Sequence, residues 1–208
     1  MMSLQQDIVG GVSVSRETLA SLRAFGAEVL RWNQTVNLVS RGDVEHLWER
    51  HIIDSAQVFQ ACPPDARNWL DLGSGGGFPG LVVAILAREL QPELRVTLAE
   101  SDQRKAAFLR QTAQKLGLDV NVQAKRIESL SPQAADVVSA RALAPLVDLL
   151  TLSAPHMRPG AIAVFPKGAR HAEEVAEARR LWGFDLETVP SASQADAALL
   201  IIRKLSRE

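Results

Sequence analysis

The chain has 208 residues, of which 47% are hydrophobic and 23% charged, with a formal net charge of −1. These proportions are typical of a globular domain with a substantial core. They exclude a strongly basic protein that binds nucleic acid indiscriminately. The longest apolar run, residues 81–87, is far shorter than the roughly 20 residues of a membrane-spanning helix, and no signal peptide is recognisable. Cys62 is the only cysteine, so it has no intramolecular disulfide partner, and a cytoplasmic location is expected.

Residues 1–62 are predicted to form a helical extension. Ser15 can cap a helix whose apolar positions recur every three or four residues, at Leu19, Leu22, Phe25 and Val29. A second amphipathic stretch covers about residues 44–59, and the two prolines of CPPDARN (62–68) mark a boundary. Residues 63–208 are expected to form the main domain.

The sequence of this main domain predicts strands that alternate with helices. Strands are predicted at 68–72, 95–100, 120–124, 136–140, 161–165, 184–189 and 198–203, and helices at 80–90, 102–116, 143–157 and 171–181. Such alternation predicts an α/β fold with a mostly parallel, seven-stranded sheet and helices on both faces. The last two strands follow each other without a helix, which predicts one antiparallel strand.

The stretch DLGSGGGFPG (71–80) lies between the first strand and the first helix of that sheet. Ligands bind at this edge of a doubly wound sheet, and glycines allow the backbone to approach them closely. Residues 75–80 match the dinucleotide pattern G-x-G-x-x-G, which would indicate a nicotinamide-dependent oxidoreductase. Residues 71–77 also read D-x-G-x-G-x-G, which resembles motif I of the class I S-adenosylmethionine-dependent methyltransferases. Asp71 favours the second interpretation, because an anion suits a sulfonium and repels a pyrophosphate.

Several further segments resemble one family, the RsmG-type (GidB) small-subunit ribosomal RNA guanine-N7 methyltransferases. The segments are RWNQTVNLVS (31–40), ERHIIDSAQVF (49–59), DLGSGGGFPG (71–80), TLAESDQRKAAFL (97–109), KRIES (125–129), VVSARAL (137–143) and FPKGA (165–169). The resemblance covers nearly the whole chain. It implies a class I, Rossmann-like methyltransferase fold, S-adenosylmethionine as cofactor, and a guanine in the 16S rRNA loop beside the decoding centre as substrate.

The same resemblance implies the cofactor-binding residues. They are Asp71, Gly73, Ser74, Gly75, Gly77 and Phe78 in the loop, Glu100 at the ribose with Ser101 beside it, Ile127 and Glu128 near the adenine, and Arg141. Phe78 is also the best candidate for stacking on a base. No metal site is predicted.

Three cations are the candidate catalytic residues, because Arg126, Arg141 and Lys167 each follow a predicted strand at the ligand edge of the sheet. Arginine and lysine commonly contact phosphates and the O6 and N7 atoms of guanine. Two alternatives stay open for a looser group, Arg41, Arg50 and His51, which can either touch RNA or form a solvated face. Asp54 and Ser55 are expected to cap or bridge the N-terminal helices, with a place beside the substrate pocket as a lesser alternative.

The residues also bear on the target atom. Methylation of cytosine C5 needs a cysteine nucleophile, and Cys62 is remote from the glycine stretch. Guanine N7 carries a free lone pair and needs no general base. The expected partner is 16S rRNA within the small ribosomal subunit, bound by a monomeric enzyme. A methyltransferase that acts on a small molecule or protein is the main alternative.

Overall fold

A computed structural model describes residues 7–207. The described chain begins with a two-stranded antiparallel hairpin, β1 (Asp7–Val9) and β2 (Val12–Val14). The expectation that the first sixty residues are helical is therefore wrong for residues 7–14. The signal was present, because a Gly-Gly pair between two short alternating segments favours a tight hairpin turn. The helical periodicity of the residues that follow is longer and stronger than this short signal.

The N-terminal helices begin directly after the hairpin. Helix α1 (Arg16–Asn33) starts at Ser15, whose side chain accepts a hydrogen bond from the Thr18 backbone N–H, as predicted. A π-helical turn (Trp48–Ile53) continues into α2 (Asp54–Gln60). Such π turns are rare and occur frequently at functional sites. The predicted second helix is thus present, but its first half is π-helical.

A seven-stranded sheet forms the centre of the molecule. Its strands are β3 (Asn68–Leu72), β4 (Arg95–Ala99), β5 (Val120–Gln123), β6 (Ala135–Ala140), β7 (Met157–Lys167), β8 (Trp182–Pro190) and β9 (Ala198–Arg207). The strand order is β5-β4-β3-β6-β7-β9-β8, and only β9 runs antiparallel to its neighbours within this sheet. The predicted fold class, including the single antiparallel strand, is confirmed.

Helices cover both faces of the sheet. They are α3 (Gly80–Leu90), α4 (Gln103–Leu116), α5 (Leu146–Ser153) and α6 (His171–Ala178). Side chains alternate between two cores along each strand, so that Leu199 and Ile201 face α1 and α3 while Leu200 and Ile202 face α5 and α6. The first core includes residues of α1, α2 and the hairpin. The N-terminal segments and the sheet therefore bury their apolar side chains together, and the division at residue 62 stays a prediction.

Candidate active site

The glycine-rich loop turns sharply between β3 and α3. Gly73, Gly75 and Gly77 have φ angles of +64°, +50° and +86°, a region that other residues rarely adopt. Two backbone hydrogen bonds fix the loop. Ser74 N–H donates to the carbonyl of Ala99 in β4 at 3.0 Å, and Gly77 N–H donates to the Ser74 carbonyl at 2.7 Å. The glycines therefore hold a fixed turn at the carboxyl edge of the sheet, in which Gly73 and Gly75 are half-buried.

Glu100 follows β4 and lies directly beside this loop. One oxygen of its carboxylate accepts a hydrogen bond from the Gly75 N–H at 2.8 Å, and the other accepts from the Asp102 N–H at 2.7 Å. Each carboxylate oxygen has further acceptor capacity. These groups fit a nucleoside cofactor. The fixed Glu100 carboxylate can accept hydrogen bonds from ribose hydroxyls, and the neighbouring loop glycines have no side chain to obstruct the ligand.

Asp71 lies beneath the loop, where it is fully buried. Its Oδ1 accepts a hydrogen bond from the Ser139 hydroxyl at 2.7 Å, and a Cβ on Gly80 would lie 2.6 Å from its Oδ2. Burial raises the pKa of this carboxyl to about 6, although hydrogen bonds from Ser139 and Ser74 oppose the rise. Asp71 therefore supports the loop from below, and its predicted contact with the cofactor stays a prediction.

The Phe78 side chain points into the protein. Its ring centroid lies 5.0 Å from that of Phe25 and 4.8 Å from that of His51. Core packing already occupies the ring, which argues against stacking on a base, and the predicted contact of Phe78 with the cofactor stays a prediction. Gly77 and Pro79 flank it at a turn, and the sequence does not reveal which way such a turn directs its side chain.

The remaining predicted cofactor residues follow β4 and β5. Ser101 is exposed next to Glu100, and Ile127 and Glu128 form a short 3₁₀ turn after β5. Arg126 starts that turn with a side chain that is 76% exposed, and its Nε lies 3.7 Å from the Glu128 carboxylate. An exposed pair of this kind contributes little to stability. All four residues lie at the carboxyl edge of the sheet, as predicted, and their roles stay predictions.

Arg141 occupies a different environment from Arg126. Its Nη2 donates to the Arg50 carbonyl in the π-helical turn at 2.6 Å, while Nη1 is buried without a partner. Burial lowers the pKa of the guanidinium, which nearby Asp54 and Asp43 counteract. Leu143, two residues further on, lies against the cofactor loop, since a Cβ on Gly73 would be 2.7 Å from its Cδ1. Arg141 therefore joins the N-terminal extension to the edge of the sheet beside the loop.

Lys167 is not available as a free cation. Its ammonium group donates to the Glu174 carboxylate at 2.7 Å and to the Ala144 carbonyl at 2.8 Å. Glu174 also accepts from the Leu146 N–H at 2.8 Å. Lys167 thus holds the segment between β6 and α5 in place. Its predicted contact with RNA stays a prediction.

A cleft of about 280 Å³ opens between α2 and the carboxyl edge of the sheet. Its wall includes Asp54, Arg141, Lys167 and Ser191, and the Ser191 hydroxyl donates to the Asp54 carboxylate at 3.1 Å. The structure thus supports the lesser alternative for Asp54, a place beside the pocket. The segment ERHIIDS was the available signal, but sequence spacing alone does not bring residue 54 next to residue 191.

His51 and Arg50 show that the N-terminal cations have separate roles. Arg50 forms a salt bridge of 2.8 Å with Asp43. His51 is mostly buried against Phe78, and burial lowers its pKa to about 4, so that the imidazole is neutral at neutral pH. Only Arg50 of this pair presents a positive charge at the surface.

Solved structures share this architecture. An O-methyltransferase from Bacillus cereus in complex with SAH superposes with a TM-score of 0.56 at 18% identity, covering 87% of this chain and 91% of that one. The mitomycin 7-O-methyltransferase MmcR superposes with a TM-score of 0.59 at 16% identity, covering 90% and 66%. At these identities the likeness shows the fold alone. This architecture, with its glycine loop and Glu100 at the carboxyl edge, is the class I, Rossmann-like methyltransferase fold.

The sequence comparisons identify the family. The family model for rRNA small subunit methyltransferase G (GidB) matches residues 18–200. Two relatives named ribosomal RNA small subunit methyltransferase G, from Cereibacter sphaeroides and a Ruegeria species, are 50% and 48% identical. The alignments cover 98% of this chain and 98% of the first relative, and 94% of this chain and 95% of the second. The chain therefore belongs to the rRNA small subunit methyltransferase G family.

Within residues 7–207, no helix is both long and apolar enough to cross a membrane. The same residues contain no cluster of three or more histidine, cysteine, aspartate or glutamate side chains that could hold a metal ion.

Proposed function

We propose that this enzyme transfers the methyl group of S-adenosylmethionine to N7 of one guanine in the 16S rRNA loop beside the decoding centre. The observation that carries the proposal is the cleft lined by Arg141, two residues before Leu143, which lies against Gly73 of the cofactor loop, in a chain of this family. The bound cofactor supplies a methyl group activated by a sulfonium. The protein contributes mainly by holding the nucleophile and the methyl carbon close and aligned.

Guanine N7 suits the groups that the chain offers. The N7 lone pair carries no proton, so the reaction needs no general base. Asp71 is sealed beneath the loop and His51 is packed against Phe78, so neither can reach a substrate proton. The cleft is large enough for one base that has left its stack, and a target base in a folded RNA must be reached in this way.

The substrate form and the setting are part of the proposal. A net charge of −1 gives little non-specific attraction to RNA, which favours the assembled small subunit over naked rRNA. We propose a monomeric enzyme that acts in the cytoplasm. Equal rates on naked 16S rRNA and on small subunits would contradict this choice of substrate, and sedimentation of the purified protein tests the monomer.

The test compares 16S rRNA from cells with and without the gene by nucleoside mass spectrometry. We expect one 7-methylguanosine to disappear with the gene. The wild-type gene should restore it, and the Gly73→Asp variant, which places a side chain against Leu143, should not. An unchanged rRNA profile would overturn the proposal and would favour a small-molecule or protein substrate.

A further inference from the structure

The cleft between α2 and the sheet contains two opposite charges that form no direct ion pair. Asp54 and Arg141 both line it, yet within residues 7–207 no salt bridge joins them. Oppositely charged groups in one partly buried cleft usually pair, because each is costly to leave alone. Their separation leaves room for a ligand that offers hydrogen-bond donors to one charge and an acceptor to the other.

Arg141 offers donors. The Arg50 carbonyl holds its Nη2 at 2.6 Å, which fixes the direction of the guanidinium. Its Nη1 has no partner and no contact with water. A buried donor without a partner costs free energy, and this cost is removed when a small shift of the side chain brings Nη1 to an acceptor in the cleft.

Asp54 offers acceptors. The residue is only 9% exposed, and its Oδ1 accepts from the Ser191 hydroxyl at 3.1 Å. Within residues 7–207, Oδ2 has no hydrogen-bond partner. The carboxylate is thus fixed from one side and open on the other.

This pair matches one side of a guanine base. Guanine carries the acceptor O6 next to two donors, N1–H and the N2 amine, whereas adenine carries an acceptor at N1 and a donor at N6. An arginine on O6 and a carboxylate on N1–H and N2–H would leave N7 uncovered. An arginine that gripped both O6 and N7 would instead block the lone pair that must attack the methyl group.

We propose that Asp54 is the residue that selects guanine, by accepting hydrogen bonds from N1–H and the N2 amine while Arg141 donates to O6. The inference rests on the proposed guanine substrate. Adenine would place its N1 lone pair against the carboxylate, so the same group rejects the wrong purine.

Asp54 also acts on the rate. The new bond joins N7 to the methyl carbon, the bond from carbon to sulfur breaks, and its electron pair stays on sulfur. The positive charge of the sulfonium moves to the purine ring, and no proton is transferred. The hydrogen bond from N1–H to Asp54 strengthens as the ring becomes positive, so the carboxylate stabilises the transition state more than the bound substrate.

The test uses small subunits that carry either guanine or inosine at the mapped target, since inosine differs from guanine only by the missing N2 amine. We expect Asp54→Asn to lower kcat on guanine subunits by about 10- to 100-fold. Inosine should lower the rate of the wild-type enzyme by about tenfold. The rates of the Asp54→Asn enzyme on the two bases should differ much less, because the variant lacks the carboxylate that accepts a hydrogen bond from the N2 amine.

Asp148→Asn is the matched control, because it makes the same chemical change at an exposed position of α5 outside the cleft. It should leave kcat and the guanine preference unchanged. Stabilisation by S-adenosylmethionine in a thermal-shift assay shows that each variant is folded. If Asp54→Asn does not fold, Asp54→Glu keeps the charge, displaces the carboxylate by one methylene, and should also reduce the guanine preference.

Three outcomes separate the claims. A folded Asp54→Asn enzyme with a rate within twofold of wild type would overturn the role of Asp54. An unchanged ratio of guanine to inosine rates in that variant would overturn it as well. No methylation of guanine subunits by the wild-type enzyme would overturn the proposed function itself, and with it the guanine assignment.

Discussion

Replacing Asp71 with asparagine should stabilise the protein at neutral pH. The side chain is fully buried at the end of β3, with the Ser139 hydroxyl on Oδ1 at 2.7 Å. Burial raises its pKa from the usual 3.8 to about 6. At about 1.4 kcal/mol per pKa unit, this difference corresponds to about 3 kcal/mol of lost stability at pH 7. Asparagine keeps the shape and the acceptor for Ser139 and carries no charge. Its amide NH2 faces the Gly80 N–H where the carboxylate offers an acceptor, which offsets a constant part of the gain at every pH.

The stability difference between Asp71→Asn and the wild type should depend on pH in a defined direction. Below pH 3.8 the carboxyl of Asp71 is protonated in the folded and unfolded chains, and no penalty exists. Between pH 3.8 and about 6 the unfolded chain loses this proton first, so the wild-type protein becomes less stable as the pH rises. The stability of Asp71→Asn relative to the wild type should therefore be lowest near pH 4 and reach its highest value above pH 6.

Urea denaturation of both proteins from pH 4 to pH 8 measures this difference, in which the titration of other groups cancels. Asp136→Asn is the control with the opposite sign. Burial raises the pKa of Asp136, but backbone N–H groups of Arg67 and Asn68 and the Arg158 side chain outweigh burial and lower it. That variant should lose a nearly constant amount of stability from pH 4 to pH 8, because Asp136 is ionised in the folded and unfolded chains over this range, and the loss should shrink only below pH 3.8. A pH-independent difference for Asp71→Asn would refute the reasoning.

Two further predictions concern the segments around the loop. Gly73→Ala should cost about 1 kcal/mol of stability, because φ is +64°, and should weaken S-adenosylmethionine binding in calorimetry, because the new methyl group displaces Leu143. Gly117→Ala, with φ of +63° and open space, should cost the same stability and leave cofactor affinity unchanged. Lys167→Ala and Glu174→Gln should each lower kcat/KM on small subunits by roughly tenfold, since together they position the segment after β6. Full activity of the Glu174 variant beside an inactive Lys167 variant would show instead that Lys167 contacts RNA directly.

Much of the fold could be predicted from local sequence signals. The bounds of β3 and α3 agree with the prediction because an apolar strand, a glycine stretch and an apolar helix follow one another without ambiguity. The cap of Ser15 was similarly clear. The hairpin of residues 7–14 was missed because its strands have only three residues each, which is too short for alternation to be distinguished from the helical pattern that follows.

The site was harder to predict because its contacts depend on tertiary structure. The glycine loop and Glu100 are adjacent because neighbouring parallel strands end at the same edge, which topology alone predicts. The sequence predicts that Phe78 is available for stacking, whereas the turn directs its ring between Phe25 and His51. The neutralisation of Lys167 by Glu174, seven residues later, depends on how the chain turns after β7.

The wall of the cleft has a consequence for biogenesis. Asp54 is held by Ser191, and Gln57 donates to the Pro190 carbonyl at 2.7 Å, so contacts that span more than 130 residues complete the site. A chain emerging from the ribosome can pack α1, α2 and the early strands before residue 190 has been synthesised. It cannot assemble this cleft until then. An enzyme whose proposed target is the ribosome would therefore gain its substrate pocket only near the end of its own translation.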